Sequence, residues 1–214
     1  MPILKLKEWL VKIPKGRHNL EGILTVPSPA LGVVVFAHGS GSGRHSARNQ
    51  FVAKVLQEAG LATLLIDLLE EAETEDREKV FDVELLAERL QSAAEWIKGR
   101  KETRELLLGY FGASTGAAAA LAAAARQPHF VRAIVCRGGR PDLAGDYLSA
   151  ILAPTLLIIG GNDDVVIHLN EEAYALLRCP KDLVVVPGAT HLFPEPGALD
   201  EVARLAKNWF VRYF

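Results

Sequence analysis

Short runs of apolar residues recur along the chain at intervals that suit a sheet of buried strands. A strand covered on both faces is apolar at nearly every position, whereas a strand with one wet face alternates. Two patterned segments near the start, residues 9–13 and 20–26, are joined by a turn-like stretch and predict an antiparallel hairpin. Further runs predict strands at residues 33–37, 62–66, 106–111, 131–136, 155–159 and 183–186.

Between the predicted strands, apolar side chains recur every three or four residues, which is the period of a helix with one buried face. The predicted helices are residues 47–58, 80–98, 116–126 and 199–213, the first capped by Ser46. The acidic stretch 70–78 predicts a solvated loop, and residues 138–153 a short connection. Strands that alternate with helices favour an α/β fold: a mostly parallel twisted sheet with helices on both faces, in a single domain of residues 1–214.

Composition excludes several classes of function. The 24 basic and 26 acidic side chains leave a net charge of −2, so neither nucleic acid nor a membrane is an expected partner. Cys136 and Cys179 form no disulfide framework and no metal-ligand spacing, and we expect no metal and no organic cofactor. The longest apolar run, residues 117–125, is too short to cross a bilayer. Without an apolar run of signal-peptide length near the N-terminus, we expect a soluble, cytoplasmic protein; the oligomeric state stays open.

A glycine-rich turn offers the first candidate chemistry. The segment Gly112-Ala113-Ser114-Thr115-Gly116 matches the G-x-S-x-G pattern, and it lies between a predicted strand and a predicted helix. Only small residues fit beside the serine in so tight a turn, and its hydroxyl lies at a helix N-terminus, where the helix dipole favours negative charge. This context predicts that Ser114 is a nucleophile; the alternative is a chance glycine-rich turn.

A serine hydroxyl needs a base, and His191 is the histidine best placed to be one. It follows the last predicted strand, and loops at the carboxyl ends of strands are where open α/β sheets hold their sites. Asp163 and Asp164 follow the strand at residues 155–159, and either carboxylate could orient the imidazole. The chain order serine, aspartate, histidine is the order found in α/β-hydrolases.

These motifs together resemble the α/β-hydrolase superfamily, and within it the small, serine-type members of the dienelactone-hydrolase-like group. The resemblance covers nearly the whole chain and includes His38-Gly39-Ser40-Gly41 and Gly160-Gly161-Asn162-Asp163. It implies the α/β-hydrolase fold with no large cap. It favours Asp163 over Asp164 as the triad acid, because the family's acid commonly stands three residues after the glycine that closes its strand. Dienelactone hydrolases proper use a cysteine nucleophile, so Ser114 weakens any transfer of their substrate.

The glycine-rich loop after residues 33–37 admits two interpretations. A strand, a glycine loop, a helix and a later acidic residue, here Asp67, also mark a dinucleotide site, but the third glycine of that pattern is missing. The resemblance implies instead that the backbone N–H of Ser40 forms an oxyanion hole with that of Thr115, the residue after the nucleophile. His38 is then expected to be structural.

The predicted function is that of a serine hydrolase that cleaves small carboxylic esters through an acyl-enzyme. Arg137 and Arg140 are candidates to hold a substrate carboxylate or phosphate; the alternative is a solvated arginine, or one paired with Asp142 or Asp146. Phe193, beside the base, is a candidate acyl wall or a core residue. An acyltransferase of the same fold and a non-catalytic binding module are the alternative functions.

Overall fold

The computed structural model describes residues 4–16 and 18–214, and the described chain forms one sheet of eight strands. The strands are β1 (Lys5–Lys15), β2 (His18–Ser28), β3 (Gly32–Ala37), β4 (Leu61–Ile66), β5 (Leu107–Ala113), β6 (Ala133–Arg137), β7 (Thr155–Gly160) and β8 (Lys181–Val186). Their order across the sheet is β1-β2-β4-β3-β5-β6-β7-β8. The pairs β1–β2 and β2–β4 are antiparallel, and every later pair is parallel. The predicted hairpin and mostly parallel sheet are therefore confirmed.

Helices connect the parallel strands. They are α1 (Ala47–Glu58), α2 (Arg77–Val80), α3 (Val83–Gly99), α4 (Thr115–Arg126), α5 (Asp164–Leu176) and α6 (Ala198–Tyr213). Two 3₁₀ segments, Glu71–Glu73 and Pro141–Ala150, lie where loops were predicted. Ser46 caps α1 as predicted, since its Oγ accepts from the N–H of Asn49 at 3.4 Å.

Three local predictions differ from the structure. The predicted helix 80–98 is divided at Asp82, whose carboxylate caps α3 by accepting from the N–H of Leu85. Helix α5 was not predicted at all. Within the predicted turn between β1 and β2, Pro14 and Lys15 extend β1, and Arg17 lies outside the described residues.

The sheet separates two hydrophobic cores. Helices α1 and α6 cover one face, and α3, α4 and α5 cover the other. All residues of β3, β4 and β7 are buried, which explains why their sequences are apolar at almost every position. The alanine-rich α4 lies so close to the sheet that a Cβ added at Gly112 would come within 2.5 Å of the Ala117 Cα. This close packing fixes the start of α4 and therefore the residue that precedes it, Ser114.

Candidate active site

Ser114 occupies a strained turn between β5 and α4. Its backbone angles, φ 52° and ψ −123°, lie in a region that residues with a side chain rarely adopt. The turn is held on both sides, because the Ser114 N–H donates to the carbonyl of Arg137 at 3.2 Å and the Ser114 carbonyl accepts from the N–H of Arg140 at 3.1 Å. A Cβ at Gly116 would lie 2.2 Å from the Ala37 carbonyl oxygen, so the space beside Ser114 admits only glycine there.

The predicted acid and base are in direct contact. The Asp163 Oδ2 lies 2.6 Å from the His191 Nδ1, while Asp164 is the exposed first residue of α5. Of the two aspartates left open by spacing, the structure therefore joins Asp163 to His191. The imidazole is 37% exposed and the carboxylate 16%. With Nδ1 donating to the carboxylate, Nε2 keeps its lone pair and can accept a proton.

Backbone contacts between neighbouring loops hold Asp163 and His191 together. Asn162, just before the aspartate, donates its N–H to the Ala189 carbonyl at 2.9 Å and its Nδ2 to the Gly188 carbonyl at 3.0 Å. A Cβ at Gly160 would lie 2.5 Å from that same Ala189 carbonyl, so the loops after β7 and β8 touch directly. The contact between side chains thus depends on a contact between backbones.

The segment Arg137–Gly138 brings Ser114 and His191 to the same place. Ser114 is bonded to the carbonyl of Arg137, and a Cβ at Gly138 would lie 3.5 Å from the Nδ1 and 3.5 Å from the Cε1 of the His191 ring. The predicted nucleophile and the predicted base therefore flank one short stretch at the end of β6. A Cβ at Gly138, whose φ is +50°, would lie 2.9 Å from the His191 carbonyl oxygen, so a larger residue there would displace the backbone of His191.

The two predicted oxyanion donors face one cavity. Ser40 and Thr115 both line a space of about 10 Å³, and Thr115 heads α4, where the free N–H groups of a helix point outward. The loop that carries Ser40 lies against the nucleophile, since a Cβ at Gly39 would come within 2.8 Å of the Ser114 Cβ. A cavity of this size holds about one water molecule or one oxygen atom of a substrate.

A larger groove of about 510 Å³ continues from this cavity. Ser42, Leu69 and Thr74 line both spaces, and most of the other residues along the groove are polar or charged. One wall is an ion-pair network, in which Arg44 bonds both Glu21 and Asp67. The Asp67 carboxylate also accepts from the N–H of Arg44 at 2.5 Å. Asp67, the acidic residue that a dinucleotide site would use, is therefore hydrogen-bonded to the glycine-rich loop instead.

The three predicted substrate-binding residues have different surroundings. Arg140 is paired with Asp142 through two hydrogen bonds of 2.9 and 2.8 Å, which raise the pKa of Arg140. This pairing with an aspartate is the alternative to holding a substrate group. Of the two roles left open for Phe193, the structure favours the core residue: it is 1% exposed and packs in the core beside α6. The turn that buries it has φ +55°, and its N–H donates to the Thr190 carbonyl. Leu192 beside it remains exposed.

Arg137 is buried without a recorded partner in the described part of the chain. The residue is 6% exposed, and its Nη1 makes no hydrogen bond to any described residue. Burial, with a smaller contribution from the nearby Arg48, lowers the pKa of Arg137 to about 10. Neither the prediction that it contacts substrate nor the alternative of a solvated side chain describes this position fully.

Sequence reasoning missed the residues that support the oxyanion loop. Glu73 was predicted to lie in a solvated acidic loop, but it is buried and paired with Arg89 of α3. The prediction failed because its partner lies 16 residues further along the chain. The available signal was Arg89 itself, a charged residue on the helix face otherwise occupied by Leu86 and Leu90.

Two further features of the described residues concern metals and membranes. No group of three or more His, Cys, Asp or Glu side chains in residues 4–16 and 18–214 is arranged to hold a metal ion. Within the same residues, no helix is both long and apolar enough to cross a membrane.

A parallel sheet with a strained serine after β5, an aspartate after β7 and a histidine after β8 defines the α/β-hydrolase class. A sequence model of the dienelactone hydrolase family matches residues 20–213, and the chain belongs to that family. The crystal structure of a dienelactone hydrolase from Anabaena variabilis is 52% identical, with a TM-score of 0.95 over 98% of this chain and 99% of that one. Family and structure together support a hydrolase.

Other relatives extend the comparison. Est1E from Butyrivibrio proteoclasticus shares the fold, with a TM-score of 0.82, 16% identity and coverage of 95% of this chain and 98% of that one. A Mycobacterium tuberculosis protein provisionally named phosphoribosyl transferase is 56% identical over 206 residues, which are 96% of this chain but 46% of that protein. The chain thus spans about half the length of this relative.

Proposed function

We propose that the protein is a serine hydrolase that cleaves small carboxylic esters through an acyl-enzyme. The observation that carries the proposal is the Asp163–His191 contact of 2.6 Å beside a serine held in a strained turn. A nucleophile, a base and a group that orients the base are the minimum for this chemistry. Strain at Ser114 supports a functional role, because such conformations persist where the surrounding structure enforces them.

In the proposed mechanism, the Oγ of Ser114 attacks the ester carbonyl while the Nε2 of His191 takes the hydroxyl proton. Asp163 holds the Nδ1–H and stabilises the imidazolium that forms. The carbonyl oxygen becomes an oxyanion, which accepts hydrogen bonds from the N–H groups of Ser40 and Thr115. His191 then returns the proton to the leaving alkoxide, giving an alcohol and an acyl-enzyme. Water, deprotonated by His191, attacks the acyl-enzyme and releases the acid and Ser114.

The surroundings of the site favour small, soluble substrates. The groove of about 510 Å³ beside the oxyanion cavity is large enough for a compact group, and most of the residues along it are polar or charged. The short segment Pro141–Ala150 packs against α4 and α5 and provides no large lid. With no large lid to enclose a long acyl chain, we expect esters of short acids.

The proposal is tested with a chromogenic acetate ester and a fluorophosphonate, which labels only an activated serine quickly. We expect Ser114→Ala to lower kcat by at least about 10³-fold and to abolish labelling. Ser92→Ala is the matched control, because Ser92 is an exposed serine of α3 bonded to a helix carbonyl. Turnover and labelling that survive in Ser114→Ala would reject the proposal and favour a non-catalytic binding module.

An acyltransferase would form the same acyl-enzyme and pass the acyl group to an acceptor other than water. Adding short alcohols to the assay separates the two functions. For a hydrolase, the free acid remains the main product; for an acyltransferase, a new ester dominates. The transferase name of the Mycobacterium tuberculosis relative concerns a protein about twice as long as the matching region, and no step of the proposed mechanism draws on it.

A further inference from the structure

A chain of hydrogen bonds runs from a buried ion pair to the oxyanion loop. The Arg89 guanidinium makes two bonds to the Glu73 carboxylate, of 2.5 and 2.9 Å, and a third bond of 2.8 Å to the Leu68 carbonyl. The Leu68 N–H lies 2.9 Å from the His38 Nε2, and the His38 Nδ1 lies 2.9 Å from the Gly39 carbonyl. We call these five residues, Glu73, Arg89, Leu68, His38 and Gly39, the support chain.

The partners of His38 define its protonation. A backbone N–H can only donate, so the Nε2 that meets Leu68 must be the accepting nitrogen. A backbone carbonyl can only accept, so the Nδ1 that meets Gly39 carries the proton. His38 is therefore a neutral imidazole in one tautomer, and its burial lowers its pKa and favours that form. Both ring nitrogens of His38 are thus occupied by the backbone, whereas the Nε2 of His191 remains available to accept a proton.

The bond to Gly39 has a consequence for Ser40. The Gly39 carbonyl and the Ser40 N–H belong to one planar peptide group and point in opposite directions. Holding the carbonyl toward His38 therefore turns the Ser40 N–H away from His38. The same peptide lies against the nucleophile, as the 2.8 Å approach of a Gly39 Cβ to the Ser114 Cβ indicates. The direction of one predicted oxyanion donor is thus set by a side chain behind it.

The remainder of the support chain holds His38 in place. Leu68 is fixed at both its N–H and its carbonyl, and its neighbour Asp67 donates its N–H to the Glu21 carbonyl at 2.9 Å. Glu73 and Arg89 are 7% and 4% exposed, and the Glu73 carboxylate also accepts from the half-exposed Lys79 ammonium at 3.2 Å. A buried pair of this kind is costly to rearrange, because breaking it leaves an unpaired charge in the interior.

We infer that Arg89 and Glu73 are positioning residues for the oxyanion hole, acting through Leu68 and His38 to aim the Ser40 N–H at the substrate carbonyl. The inference rests on the proposed esterase function. The amide itself is the group that touches the substrate; the support chain touches only the protein. Its effect should therefore appear in the transition state, where negative charge has formed, and much less in substrate binding.

The test compares kcat and KM of an Arg89 variant and a Thr103 variant on a chromogenic acetate ester. Arg89→Lys keeps the charge opposite Glu73, but its single ammonium lacks the planar fork that bonds both carboxylate oxygens and the Leu68 carbonyl. We expect kcat to fall by about tenfold or more and KM to stay within about twofold. Thr103→Val is the control, because the fully buried Thr103 hydroxyl bonds the Ile97 carbonyl at the far end of α3. It should lower Tm while kcat stays within about twofold of wild type.

Several results would overturn the inference. They are an unchanged kcat in Arg89→Lys, a loss no larger than in a Thr103→Val protein of equal Tm, or a rise in KM alone. If wild-type turnover does not depend on Ser114, the esterase proposal fails and the inference fails with it. Turnover that depends on Ser114 but not on Arg89 overturns the inference alone.

Two further measurements apply even if Arg89→Lys does not fold. His38→Asn keeps an N–H donor on an atom bonded to Cγ, as in the Nδ1 of histidine, whereas His38→Gln moves the amide one bond outward. We expect kcat of His38→Asn to exceed that of His38→Gln, by about threefold or more if the Gly39 bond aims the oxyanion donor. Equal rates, or imidazole nitrogen shifts in the wild type that place the proton on Nε2, contradict the support chain.

Discussion

The two sides of the candidate site differ in how they use a histidine. On the base side, the loop after β8 carries His191, which is 37% exposed and has one ring nitrogen on a carboxylate. On the oxyanion side, the loop after β3 carries His38, which is 7% exposed and has both ring nitrogens on the backbone. The first arrangement leaves a nitrogen for proton transfer, and the second leaves none.

This difference shows that a histidine's partners, more than its place after a strand, decide its chemistry. A carboxylate on Nδ1 stabilises the charged ring that a general base must become. Two backbone partners and burial keep the ring neutral, so that it serves as a structural link between two backbone segments. The base side is therefore sensitive to the chemistry of its side chains, whereas the oxyanion side is sensitive to the geometry of its backbone.

The largest predicted effect concerns the base side. Replacing Asp163 by Asn keeps the shape of the side chain but removes the charge that holds the His191 tautomer. We expect kcat on a chromogenic acetate ester to fall by about 10³- to 10⁴-fold. Asp164→Asn is the matched control, because Asp164 is the exposed neighbour at the start of α5, and it should keep kcat within about twofold. Equal losses in both variants would break the assignment of the acid.

The base side could be predicted from the sequence because the proposed catalytic groups are side chains at fixed offsets from strands. Ser114, Asp163 and His191 each follow a strand of the parallel sheet, and the carboxyl ends of those strands meet at one edge. The parallel arrangement of the strands is enough to bring such residues together. The pattern of apolar runs predicted seven of the eight strands to within about two residues at each end. The signal is clearest in β3, β4 and β7, whose residues are all buried.

The oxyanion side was harder to predict because its functional groups are amides, which every residue has. Their direction depends on Arg89 and Glu73, which are 16 residues apart and meet only after α3 has packed. An acidic stretch gives no local sign of which carboxylate will be buried. The role of Phe193 stayed open for a related reason, since only the positive φ of its turn directs the ring into the core.

The second prediction concerns the stability that Glu73 gives to the oxyanion side. Hydrogen bonds from Arg89, more than any other contact, lower the pKa of Glu73 to about 2 from an ordinary value of 4.5. A lowered carboxyl pKa stabilises the folded state fully above about pH 4.5, and this contribution is lost as the pH falls through about 2. The shift corresponds to about 3 kcal/mol of folding free energy at neutral pH.

Urea unfolding at pH values across that window provides the measurement. Glu73→Gln should lower the free energy of unfolding by about 3 kcal/mol at neutral pH, and the gap to wild type should shrink as the pH approaches the folded pKa. Glu201→Gln is the control, because the Glu201–Arg204 pair is solvent-exposed, and it should change stability by no more than about 0.5 kcal/mol. A gap that stays constant with pH would mean that the Glu73 charge is not what stabilises this region.

The smallest predicted effect lies between the two sides, at Arg137. Its carbonyl holds Ser114, and its guanidinium is buried near Arg48 with an unbonded Nη1. A buried cation without a counter-charge is unfavourable, so binding of a substrate that supplies an anionic group would be favoured.

Arg137→Met should raise KM for an ester with a free carboxylate by about tenfold and leave KM for a neutral ester within about twofold. Arg140→Met, which removes an arginine already paired with Asp142, should change neither. If Arg137→Met affects both esters equally, the guanidinium supports the Ser114 turn and does not select substrates.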